Sequence, residues 1–235
     1  LGVVCLYRMG RYDEAKERIH TAMNLLKTHK DPAKEIHART LLANILLATG
    51  ELQNALELFR VSHEHFRKTG HRKNENITIC MIANVYTRLG DLDTALEYYF
   101  QSLKISREEA DIHTEASTTH NIAVVYIQLS ELDRATEYLT RSVKLFKTVG
   151  DKNFQAKSLN SLANISRKTR HYERGLDYAN QSLELSDATG SDEGKTTNFL
   201  TIGSILIEME QFELAFDNLQ KALVLAKEMN SPQFQ

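Results

Sequence analysis

Nine histidines, two cysteines and scattered serines and carboxylates are the groups through which a reaction could run, and their spacing supports none. His63 and His65 stand two apart, which on a helix turns them to different sides. His113 and His120 are seven apart and lack a clear carboxylate or cysteine partner in the sequence. Cys5 and Cys80 form no CxxC or Cys/His cluster, so neither a disulfide framework nor a zinc finger is indicated. No GxSxG, HExxH or P-loop run occurs. The sequence therefore reads as no enzyme, with no metal and no cofactor. What is left is recognition chemistry. Asn44, Asn84 and Asn164 lie at multiples of 40 residues from one another, and each amide offers a donor and an acceptor together.

The totals narrow the partner. Of 235 residues, 42% are hydrophobic and 26% charged, enough apolar material for a substantial core. The formal charge of −2 leaves no global basic field for nucleic acid or an anionic membrane surface. No apolar run approaches the roughly 18 to 20 residues that span a bilayer. Cysteines without a framework fit a cytoplasmic, reducing setting. The chain opens on Leu1 rather than methionine and reads as a piece of a longer polypeptide.

The elements that must position the asparagines come from a six-fold echo. GRYDEA at Gly10 returns as GELQNA at Gly50, GDLDTA at Gly90, SELDRA at Ser130, RHYERG at Arg170 and EQFELA at Glu210, a period of 40 with no slip. Such a period marks stacked supersecondary units. Upstream of each echo an apolar series such as Ile82, Val85, Tyr86 and Leu89 has helical steps. Downstream, Leu92, Ala95, Leu96, Tyr99 and Leu103 do the same. Each unit is helix A, a tight turn, then helix B, with the polar stretches from Lys68, Thr148 and Ala188 read as loops between units. The position of Ala43, Ala83, Ala123, Ala163 and Gly203 is small every time, as a closely packed hairpin requires.

A small residue in helix A, an aromatic or Leu three positions on, Gly at the turn and Ala in helix B together resemble the tetratricopeptide repeat, whose usual period is about 34 residues. Six extra residues per unit imply longer helices or longer loops. The resemblance implies an all-α, right-handed superhelical solenoid of antiparallel helix pairs, a single array over residues 1–235. Residues 1–30 are a truncated first repeat, followed by repeats at 31–71, 72–111, 112–151, 152–191 and 192–235, the last with its tail. It further implies a concave groove lined by the A helices, in which Asn44, Asn84, Arg88, His120, Lys157, Asn160, Asn164, Arg167 and Lys168 are the candidate peptide-binding residues. Two readings of the asparagines stand: they hold the backbone of an extended peptide, or they bridge neighbouring A helices with nothing bound. The cations likewise select an acidic partner, with Arg giving bidentate recognition, or form a solvated face.

The function expected is a non-catalytic protein- or peptide-binding scaffold, the sensor or interaction region of a larger bacterial signalling protein. The alternative is a structural module that self-associates through its ends, or that links or regulates an attached enzyme such as a histidine kinase or nucleotide cyclase. Repeat five is expected to be the softest joint. Ser166 stands where Tyr86 and Tyr126 stand, and Gly175 replaces a small Ala at about 1 kcal/mol; Gly175→Ala is expected to raise stability.

Overall fold

A computed structural model of the protein describes residues 2–29 and 31–229. They form twelve α-helices and no strand: α1 Gly2–Arg8, α2 Tyr12–His29, α3 Pro32–Thr49, α4 Leu52–Lys68, α5 Arg72–Leu89, α6 Leu92–Glu108, α7 Ile112–Gln128, α8 Leu132–Val149, α9 Lys152–Lys168, α10 Tyr172–Thr189, α11 Asp192–Glu208 and α12 Phe212–Met229. From α2 onward every helix has 17 or 18 residues. The six extra residues of the 40-residue period thus lengthen helices. The stretch from Lys68 read as a loop contains only Thr69, Gly70 and His71 outside helix, and Arg72 already opens α5. Connections this short hold neighbours antiparallel.

α1 and the helices from α3 to α11 each end in a left-handed residue. Gly50 at φ 87° donates its N–H to the Leu47 carbonyl, and Glu51 reaches back to that of Leu46, so two otherwise orphaned carbonyls are satisfied. Ser130, Arg170 and Glu210 take the same left-handed conformation at φ 62°, 61° and 60°, and Ala110 joins them at 53°. The turn is therefore kept where the glycine is lost. At the other ends, Asp31, Asp91, Asp111, Asp151 and Ser191 cap helix N-termini by accepting from a backbone N–H three residues on.

The chain divides into two compact units, Leu1–Glu109 and Ala110–Gln235, where the sequence reads as one array. The core of the first is built on Leu42, Ile45, Phe59, Ile82 and Val85; that of the second includes Ala163, Ala179, Ile202 and Leu206. Ala43, Ala83, Ala123 and Ala163 are fully buried at the hairpin contact. At their counterpart Gly203 a Cβ would sit 2.8 Å from the Leu219 side chain, which would have to move to admit an alanine.

Repeat five departs as its residues suggest. In repeat three Tyr86 stacks on Tyr98 at 5.6 Å, and in repeat four Tyr126 packs on Tyr138 at 5.5 Å. Tyr178 faces Ser166 instead, and a cavity of about 200 Å³ opens beside them, lined also by Thr136, Leu162 and Arg174. Arg174 takes the place of the missing ring, donating to the Tyr178 hydroxyl at 2.9 Å and lying 5.4 Å over its face. At Gly175 a Cβ would stand 3.1 Å from Ile205 Cδ1 and 3.3 Å from the Ala163 carbonyl oxygen. The gain expected of Gly175→Ala therefore has a tight contact with backbone set against it.

Candidate functional site

A signal that the sequence reading passed over organises the interior. Ser62, Ser102, Ser142 and Ser182 recur at intervals of 40, all on B helices and all buried. Each ties its B helix to the A helix of the same repeat. Ser62 accepts from Thr40 at 2.9 Å, Ser102 lies 2.8 Å from Cys80 Sγ, and Ser142 and Ser182 donate to the carbonyls of Ala116 and Ala156 at 3.2 and 2.7 Å. Their period was legible; that a small polar residue recurs at a buried phase is the clue that could have found them.

In the second unit this stitching widens into a network. Asn160 donates to Asn198 Oδ1 at 2.8 Å and to Thr201 Oγ1 at 3.0 Å, joining α9 to α11. Asn164 donates to Asn160 Oδ1 at 3.1 Å, and Asn198 donates to Ser186 on α10 at 3.1 Å. His120 reaches from α7 to Ser158 on α9 at 2.9 Å. Burial, with Lys157 nearby, lowers its pKa to about 4, so at neutral pH the ring is uncharged. A cavity of about 300 Å³ opens among these groups, lined by His120, Lys157, Asn160, Ser182, Ser186, Asn198 and Glu193 among others.

Three of the nine predicted residues, His120, Lys157 and Asn160, thus meet at one cavity. Asn164 and Arg167 continue along α9, and Arg167 pairs with Glu208 across to α11. Lys168 ends α9 exposed to solvent. In the first unit Arg88 donates to the Leu47 carbonyl, joining α5 to α3, and Asn84 accepts from the buried Tyr99 hydroxyl. Burial holds that hydroxyl well above its usual pKa. Asn44 is half-buried and has no hydrogen-bond partner among the described residues. Bridging within and between helices is therefore present at Asn84, Asn160 and Asn164, and two of the four groove cations are already engaged. One sequence reading is corrected outright: His113 does have a carboxylate, Asp151, at 3.0 Å. Among the described residues no three or more His, Cys, Asp or Glu side chains gather as a metal site would need.

Residues 74–148 match the family model of the tetratricopeptide repeat. No curated protein sequence matches the chain. Among solved structures, the chain is similar to BtubC (BKLC) from P. vanneervenii, with TM-score 0.75 and 20% identity over 95% of this chain and 92% of that one. It is similar to the apo form of RapI, with TM-score 0.70 and 15% identity over 97% and 96%. It is also similar to a Rap protein complexed with competence and sporulation factor, with TM-score 0.78 and 12% identity over 97% and 73%. At these identities the likeness is one of fold, and the fold is the expected all-α one of stacked antiparallel helix pairs. No helix among the described residues is long and apolar enough to cross a membrane.

Proposed function

We propose that this chain of tetratricopeptide-type repeats is a non-catalytic scaffold that binds an extended peptide or protein segment along its A helices, as the sensor or interaction region of a bacterial signalling protein. The observation that carries the reading is the state of the asparagines. Although Asn164 donates inward, its Oδ1 accepts no bond among the described residues, and Asn44 keeps both ends of its amide. Half-buried amides with unused capacity can hold peptide backbone whatever its side chains. A Rap conjugation gene regulator of similar fold, with TM-score 0.76, has been solved in complex with the Phr* peptide, which supports the same use of the fold here.

The internal pairing changes which residues are offered. Arg88 and Arg167 are engaged, so Lys157 and Lys168 are the cations available to an acidic segment. Peptides selected from a random library against the intact chain, then titrated calorimetrically, should bind native protein and lose roughly tenfold in affinity to Asn164→Ala. Unchanged affinity would remove the asparagines from the site.

A second reading is self-association, favoured by α12. Phe212, Phe216 and Leu223 share one side of α12 and are 64%, 66% and 54% exposed, an apolar face of the kind that a neighbouring helix covers. Sedimentation should then show concentration-dependent dimers that Phe216→Asp disrupts; a strict monomer rejects it.

A further inference from the structure

Two positions in the lining of the 300 Å³ cavity between α9, α10 and α11 carry stacked rings in the preceding repeat. Phe146 at the end of α8 stacks on Phe154 at the start of α9, with ring centroids 5.3 Å apart and His113 edge-on at 6.0 Å. Forty residues on, Ser186 and Gly194 occupy these two phases. Two aromatic rings have been exchanged for a hydroxymethyl group and a hydrogen. The Asn160–Asn198–Ser186 bonds join α9, α10 and α11 beside the cavity. At Gly194 α10 and α11 come close: a Cβ there would lie 2.6 Å from Ser186 Oγ, so a larger residue needs that hydroxyl to turn away.

The chemistry of the lining is one-sided inside and two-signed at the mouth. Ser161, Ser182, Ser186 and Thr197 each donate their hydroxyl proton to a main-chain carbonyl, at 3.1, 2.7, 3.0 and 2.9 Å. Ser161, Ser182 and Thr197 thereby keep acceptor capacity, while Ser186 already accepts from Asn198. At the rim stand Lys157 on α9, whose ammonium lies 5.2 Å over the Phe154 ring, and Glu193 on α11, both exposed and neither ion-paired among the described residues. By contrast Arg167 and Lys195, on the same two helices, are paired with Glu208 and Asp192. A cation and a carboxylate at the mouth of one small cavity suit a ligand that carries both charges. The volume lies at the lower end for small-molecule sites.

We propose that this cavity binds a free α-amino acid. The ammonium group is held by Glu193 and the hydroxyl oxygens, the carboxylate by Lys157, and a polar side chain extends toward Asn160 and Asn198. The site goes beyond the peptide reading, since its ligand is a free small molecule.

Calorimetric titration of the intact chain with each of the twenty common L-amino acids tests it. At least one polar amino acid should bind with a micromolar to millimolar Kd, while ethylamine and propionate, each carrying one of the two charges, should not. Glu193→Gln and Lys157→Met, both at exposed positions, should each weaken binding roughly tenfold. Ser186→Phe, which restores one ring of the earlier repeat, should abolish it with the helical signal retained. Binding by no amino acid overturns the proposal, as does equal binding of ethylamine or propionate, or unchanged affinity in both rim variants. Peptide binding without amino-acid binding overturns it too and leaves the scaffold reading standing.

Discussion

His120 shows how burial sets a residue's working state here. Its pKa is lowered to about 4, against about 6.5 in an unfolded chain. The folded state thus prefers the neutral ring, and between these two values the unfolded state binds more protons. Stability from this residue is fully present above pH 6.5 and is lost as pH falls toward 4. Thermal midpoints measured from pH 7 to pH 4 should fall for native protein and fall less for His120→Gln; equal slopes would show that the ring does not titrate this way. The left-handed turn residues give a second prediction at this scale. Ser130 and Arg170 adopt φ 62° and 61°, where a Cβ costs roughly 1–2 kcal/mol. Ser130→Gly and Arg170→Gly should each stabilise the protein, by about 0.5 kcal/mol or more once the greater freedom of glycine in the unfolded chain is counted. Chemical denaturation would check the sign. The residue-level roles were only half legible. Spacing placed Asn160 and Asn164 on one face of helix A, but whether an amide turns outward or toward Asn198 and Thr201 depends on partners about forty residues away.

At the scale of elements, the helices, their order and the turns could be read from the period, because periodicity and left-handed turns are local properties. The loop at Lys68 was misread because the polar residues of the first turn of α5, from Arg72 to Glu75, look like loop residues in sequence. The weak joint was legible for a physical reason as well. Exchanging Tyr for Ser166 removes a stacked ring, and the resulting 200 Å³ cavity lies beside α9 and α10. Ser166→Tyr should restore the stack on Tyr178 and stabilise by about 1 kcal/mol, read as a higher denaturation midpoint. In the native protein, amide hydrogen exchange in residues 160–180 should be faster than in residues 80–100; the reverse order would show that Arg174 compensates fully.

At the scale of the whole molecule, the chain is long in sequence but local in its contacts, since helices pack chiefly on their neighbours. Stability then behaves as a sum over repeats and their interfaces. Phe59 is fully buried in the first unit, and Phe59→Ala removes about 3–5 kcal/mol. Exchange should accelerate in α3 to α5 and stay unchanged in α9 to α12. A uniform acceleration would mean that the two units unfold together.

The turns carry a consequence for how such a chain can change length. Apart from the one between α2 and α3, each is two or three residues with a left-handed hinge, so none of these has slack to absorb an insertion. One residue added within a helix rotates everything beyond it by about 100° around the axis, carrying Ser102 or Ser142 off its partner carbonyl or thiol and a buried alanine into the open. Lineages of this protein can gain or lose whole helix pairs far more readily than single amino acids, and gaps in the alignment of its descendants should come in multiples of forty.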